Sequence, residues 1–87
     1  MPQLTKLHLA KLRRQAKGNR IARAIELAGV TQQEVSHDLR CSQSYISDVS
    51  RQRYATVTVE TAHRFAGYFG VQIEDLFPAQ GDKRGHK

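Results

Sequence analysis

The stretch from Thr31 to Arg53, TQQEVSHDLRCSQSYISDVSRQR, constrains the fold more tightly than any other part of the chain. It opens with Thr31-Gln32-Gln33-Glu34, in which the threonine hydroxyl and the glutamate carboxylate can each satisfy the other's orphan backbone N–H. That capping box starts a helix over 31–39 with Val35 and Leu39 turned inward and a small residue, Ser36, where another helix can approach. Three residues, Arg40, Cys41 and Ser42, form the connection. Ser42 can cap a second helix running to about Ser50. Ile46 and Val49 are the apolar pair of this second helix. Gln43, Ser44, Ser47, Asp48 and Arg51 recur at i, i+1, i+4, i+5 and i+8, and so share one short polar face. The expected unit is two short helices around a tight turn, the second with an outward face rich in hydrogen-bonding groups.

The remaining apolar spacing is helical throughout. Leu4 to Lys17 reads as a basic helix capped by Thr5, with Leu4 and Leu9 at staple positions and Leu9, Leu12 and Ala16 on one face. Gly18 is a natural stop, and Asn19 could cap the next helix; one bent helix continuing to Ala28 is the alternative. Arg20 to Ala28 carries Ile21, Ala24, Ile25 and Ala28 inward and ends at Gly29. After a loop holding Arg53 and Tyr54, Thr58 caps a helix to Phe69 with a buried stripe of Val59, Ala62, Phe65, Ala66 and Phe69. Gly70 ends it, and Val71 to Phe77 adds one more turn before Pro78. Only Ala55–Val59 is strand-like, and it is too short to make a sheet. The expected fold class is all-α: a five-helix domain preceded by an extra basic N-terminal helix. The expected divisions are a basic helix at 1–18, the helical domain at 19–77 and a disordered tail at 78–87.

Eighty-seven residues make one small domain whose core is marginal, so help from a second copy is expected. The charge of +6 is unevenly spread. Residues 1–25 hold Lys6, Lys11, Arg13, Arg14, Lys17, Arg20 and Arg23 and no acid, whereas 26–77 hold four basic and seven acidic residues. A segregated basic segment suits a polyanion partner, and equally suits a solvated helix face. With a single cysteine there is no disulfide framework, and no apolar run is long enough for a membrane span or a secretory signal. A cytoplasmic location is expected.

The residues above, taken colinearly, resemble the lambda-repressor-like, Cro/XRE-type helix-turn-helix family. Gly29 to Ser36, Leu39, and Ser42 to Ser47 carry the resemblance. It continues through Thr58 to Thr61, Phe65-Ala66, Phe69 to Val71 and Asp75 to Phe77, about two thirds of the chain. The resemblance implies a compact helical domain that binds operator DNA, usually as a two-fold dimer, with Gln43–Ser50 as the recognition helix. It also implies that Gln32 touches a phosphate and braces Gln43, and that Arg53 and Tyr54 lie in a loop meeting the DNA backbone. The chain departs from the family in three places, one of them being the basic helix at residues 5–17, which lies outside the common domain. Arg40 stands where a glycine usually ends the first helix of the motif; a left-handed backbone there would cost about 1 kcal/mol. Val49-Ser50-Arg51-Gln52 replaces the usual Trp-Glu-x-Gly, so the loop to Thr58 is expected to differ in shape.

In a major groove, the polar face has specific uses. Gln43 can pair with adenine N6 and N7, and Arg51 can take guanine O6/N7 or a phosphate. Ser44 and Ser47 donate or accept. Asp48 can accept from cytosine N4 or orient Arg51. The candidate base readers are therefore Gln43, Ser44, Ser47, Asp48 and Arg51. Candidate backbone contacts are Gln32, Ser42, Tyr45, Arg53 and Tyr54, joined by Arg13, Arg14, Lys17 and Arg20 of the basic segment. The alternative for this segment is that Leu9 and Leu12 extend the core or a dimer contact while the charges stay in water.

Other chemistries find no constellation. His8, His37, His63 and His86 are scattered, and His37 with Cys41 lacks further ligands at zinc spacing. Cys41 is expected to pack as a small apolar residue. No glycine-rich phosphate loop or nucleophile–base pair is present, so neither an enzyme nor a cofactor is expected. The expected function is sequence-specific transcription regulation, most simply repression through a pseudo-palindromic operator bound by a homodimer. Possible settings are a phage or mobile element, a restriction–modification controller, or the antitoxin of a toxin–antitoxin pair with a toxin as protein partner. A protein-interaction module on the same scaffold is the other class.

Overall fold

The computed structural model describes residues 3–15, 18–54 and 56–78. Six helices succeed one another, and no strand occurs among the described residues: α1 Lys6–Leu12, α2 Ile21–Ala28, α3 Gln32–Leu39, α4 Gln43–Ser50, α5 Val59–Phe69 and α6 Ile73–Leu76. The expected caps of α1, α3, α4 and α5 are in place, whereas α2 begins at Ile21 with Arg20, not Asn19, at its N-cap and no side-chain cap bond there. The Thr31 hydroxyl accepts from the Glu34 N–H at 3.1 Å, and the Thr31 N–H donates to the Glu34 carboxylate at 3.0 Å. Ser42 and Thr58 cap α4 and α5 through the N–H groups of Tyr45 and Thr61. Thr5 caps α1, and His8 completes a capping box there that the spacing did not suggest.

Four successive helices, α2 to α5, end in the same way: the chain turns through a left-handed residue, and the next N–H reaches back to a carbonyl five positions earlier. Gly29 and Gly70 supply the left-handed residue for α2 and α5, at φ of 73° and 70°. For α3 it is Arg40 at φ 57°, with the Cys41 N–H bonded to the Ser36 carbonyl at 3.0 Å. For α4 it is Gln52 at φ 70°, with the Arg53 N–H bonded to the Asp48 carbonyl at 3.1 Å. The two positions where the family's glycine is replaced thus keep the glycine-like backbone. The turn geometry is retained at a cost of about 1 kcal/mol at each non-glycine position.

The core joins all six helices. Leu12, Ile21, Ala24, Val35, Ile46, Val49, Ala62, Phe69, Leu76 and Phe77 are fully buried, with Phe65 nearly so. The helix-turn-helix pair α3–α4 packs most extensively, followed by α5 on α6. Helix α1 contributes to this same core through Leu12, and Leu4 just before it is also buried, its N–H donating to the Phe69 carbonyl at 2.9 Å. Burying Leu12 alone is worth about 1.5–3 kcal/mol, so α1 is held by more than its charges.

Two expectations about the helices are corrected. Helix α1 ends at Leu12 instead of continuing to Lys17, and Arg13 and Arg14 form a turn. Ala16, Lys17, Ala55 and the tail from Ala79 lie outside the described residues. Val59, expected in the buried stripe, is 64% exposed, because it occupies the first turn of α5, beyond the neighbouring helices. Tyr68 takes a buried place instead; its ring meets Phe69 edge-on, and its hydroxyl donates to Asp38 Oδ2 at 2.7 Å, tying α5 to α3. Burial and the Asp38 carboxylate both push the Tyr68 pKa above the ordinary phenol range. Cys41 is half-buried against the core, and burial raises its thiol pKa.

Candidate nucleic-acid interface

Helix α4 displays its polar face as the spacing required. Gln43, Ser44 and Arg51 are exposed, and Ser47 and Asp48 are partly so, while Ile46 and Val49 on the opposite side are fully buried. The division comes from the sequence: two apolar residues three apart fix which way the helix rolls onto the core, and everything a turn away from them faces out. Gln43 and Ser44 are the first two residues of the helix, where side chains project beyond the body of the domain. The Ser42 hydroxyl is engaged in its own cap, accepting from the Tyr45 N–H at 3.0 Å.

Asp48 does not orient Arg51. It pairs with Arg53, whose Nε lies 3.3 Å from Oδ1. The left-handed turn at Gln52 explains the choice. It folds the chain back so that the Arg53 N–H reaches the Asp48 carbonyl, which sets the two side chains side by side. The acid is thereby neutralised within the face, and Arg51 is left exposed at the end of α4.

Tyr45 and Tyr54 sit together, ring centroids 5.8 Å apart and tilted at 37°. Tyr45 is half-buried, and burial raises its pKa; Tyr54 is 42% exposed. The outer ring therefore rests on an inner one seated on the core, beside Arg53. Gln32 is the first residue of α3 and is half-buried. A hydrogen bond between Gln32 and Gln43 is not among the contacts of the described residues.

The basic N-terminal residues do not form one group. Arg13 Nε donates to Asp75 Oδ1 at 2.8 Å, and that bond raises the Arg13 pKa. Arg20 donates from Nε to the Gln15 carbonyl at 3.0 Å and from Nη1 to the Asp75 carbonyl at 3.2 Å; burial lowers its pKa. Both arginines are thus gathered around Asp75 of α6, a buried acid that also caps its own helix through the Gln72 N–H. Arg14 is exposed, and Lys17 is outside the described residues.

Sequence reasoning missed Asn19 as more than a cap. It is completely buried. Its Oδ1 accepts from the Ile21 N–H at 3.1 Å, as a cap would. Its Nδ2 donates to the carbonyls of Val49 at 2.9 Å and Tyr54 at 2.8 Å, at the end of α4 and in the loop beyond it. The only available signal was an asparagine between a glycine and an amphipathic helix, which names a cap and nothing distant.

Among the described residues, no three His, Cys, Asp or Glu side chains are grouped to hold a metal, and no helix is long and apolar enough to cross a membrane. A search of curated proteins found no match, and neither did a search of solved structures. A protein-family comparison did: the model for the Cro/C1-type HTH DNA-binding domain matches residues 20–82. That span holds α2 to α6, with the capped α3–α4 pair and its outward polar face at the centre. The six-helix order, the left-handed turn between α3 and α4 and this match agree, and the chain belongs to the Cro/C1-type helix-turn-helix DNA-binding domain family.

Proposed function

We propose that the protein is a sequence-specific transcriptional repressor that inserts α4 into the major groove of a pseudo-palindromic operator as a homodimer. The observation that carries this reading is the α4 face itself. A helix whose buried side is fixed by Ile46 and Val49 presents Gln43, Ser44, Ser47, Asp48 and Arg51 outward, with its one acid already paired to Arg53. Gln43 at the helix start reads adenine through paired donor and acceptor, and Arg51 reads guanine or grips a phosphate. Gln32, Ser42, Tyr45, Arg53 and Tyr54 meet the sugar–phosphate backbone around the inserted helix. From the basic segment, the exposed Arg14 is a phosphate ligand; Arg13, Lys17 and Arg20 add positive potential that draws DNA in.

A domain seated on promoter DNA blocks polymerase by occupying its site, which favours repression. Two copies related by a two-fold axis place their recognition helices about one helical turn apart, roughly 34–36 Å, on the same side of the duplex. Selection of bound duplexes from a random-sequence pool tests this reading. The expected product is an inverted repeat with half-sites about 10 bp apart centre to centre. Recovery of no consensus would overturn it.

A further inference from the structure

Asn19 and Gln52 are thirty-three residues apart and joined backbone to side chain in both directions. The Asn19 N–H donates to Gln52 Oε1 at 2.8 Å, and Gln52 Nε2 donates to the Asn19 carbonyl at 2.8 Å. That carbonyl also accepts from Gln15 Nε2 at 2.8 Å. Together with the Asn19 side-chain bonds to Val49 and Tyr54, these contacts hold the end of α4 and the loop beyond it at Val49, Gln52 and Tyr54. Gln52 is the left-handed residue of that segment, at φ 70°. A glycine would hold the same φ more easily, but it would make neither of these side-chain bonds. Gly18 makes room for it: a Cβ there would stand 2.2 Å from Gln52 Oε1.

We infer that Asn19 and Gln52 are positioning residues that clamp the Arg51–Tyr54 loop in its DNA-contacting conformation before DNA arrives. The inference rests on the proposed DNA reading of α4. A loop fixed in advance loses no further conformational freedom when Arg53 and Tyr54 meet the backbone, so binding is tighter than to a loop that must be ordered. The bonds also join the residues just before α2 to the loop after α4, so the end of the basic segment and the DNA-facing loop move together.

The full-length protein tests this with Gln52→Gly, Gly18→Ala and the double variant, on a duplex selected from a random pool. Gln52→Gly suits the left-handed backbone, keeps the fold and removes the two side-chain bonds. It is expected to bind about tenfold more weakly. Its salt slope should flatten by about 0.9, one phosphate contact. The amides of Arg53 and Tyr54 should exchange faster, and the unfolding midpoint should fall by less than the affinity does, because relief of the left-handed strain at 52 offsets part of the lost bonds. Gly18→Ala displaces the Gln52 side chain and should weaken binding similarly. With glycine at 52 it has nothing to displace and only the strain of alanine at the left-handed Gly18 remains, so Gly18→Ala should weaken binding less in that background than in the native one. Binding by Gln52→Gly within about twofold of the native protein at unchanged slope would overturn the clamp. So would equal weakening by Gly18→Ala in both backgrounds, or affinity that simply tracks unfolding midpoint. A native protein without sequence preference would instead overturn the DNA reading, and with it the clamp's role on DNA.

Discussion

Replacing Asn19 by alanine should cost a large share of this domain's stability. The side chain makes three hydrogen bonds, to the Ile21 N–H and to the carbonyls of Val49 and Tyr54, from a position with no solvent exposure. Alanine leaves the Ile21 N–H buried and unpaired, at about 1–3 kcal/mol, while the Val49 carbonyl keeps the Gln52 N–H at 3.1 Å and the Tyr54 carbonyl lies nearer solvent, so each of these adds less. The expected loss is about 2–4 kcal/mol. Domains of this length have roughly 4–13 kcal/mol in total, so the variant sits close to its unfolding threshold at 25 °C. Urea titration followed by circular dichroism at 222 nm reads the loss as a lower midpoint at unchanged slope. Asn19→Asp sharpens the test: near neutral pH it keeps the acceptor for the Ile21 N–H but presents a charge to two carbonyls. It should be as unstable as alanine at about pH 7 and recover part of the loss as the pH falls toward about 4, where the carboxyl can donate. A loss below about 1 kcal/mol for Asn19→Ala would refute the reasoning, since it would mean that water or a backbone shift satisfies the stranded groups.

Three further outcomes are expected from the same geometry. Leu12→Ala should lower stability by about 2–5 kcal/mol in the same titration, because Leu12 is fully buried in the common core; a change under about 0.5 kcal/mol would mean that α1 is a separable appendage. The folded protein holds the Tyr68 proton more tightly than the unfolded chain does, so stability should be full below about pH 10 and fall as the pH rises beyond it, and Tyr68→Phe should flatten that limb in alkaline denaturation curves. Arg14→Gln should reduce the salt slope of DNA binding by about 0.9 without altering base preference, whereas Arg13→Gln should act mainly on stability by removing the arginine from Asp75.

The parts of this fold that could be read from sequence are those governed by local rules. Thr31 with Glu34, Ser42 and Thr58 are capping residues whose partners lie three positions away, so short-range chemistry fixes them. The α4 face was legible because Ile46 and Val49 leave a short helix one way to lie on a core. Val59 was misplaced for the converse reason: it continues the apolar spacing of α5, but spacing does not say where the neighbouring helices end. Tyr68, with its hydroxyl on Asp38, and Asn19, with its amide on Val49 and Tyr54, depend on partners thirty or more residues away. The Asp48–Arg53 pair was hidden by a backbone conformation. Once Gln52 is left-handed, the fifth residue on comes closer than the third, and no side-chain pattern announces that turn. The basic segment was legible as charge only; Asp75, which gathers Arg13 and Arg20, lies more than fifty residues away in the sequence.

The central claim is that the outward face of α4 reads base sequence, and Gln43→Ala tests it most directly. Gln43 is exposed at the start of the helix and makes no contact that the core depends on, so the variant should fold as the native protein does. Affinity for the selected duplex should fall by about 1–3 kcal/mol, and preference should relax at one base-pair position in each half-site. Affinity for random duplex should be unchanged. An unaltered consensus from a repeated selection with Gln43→Ala, or an equal loss on selected and random DNA, would contradict the account.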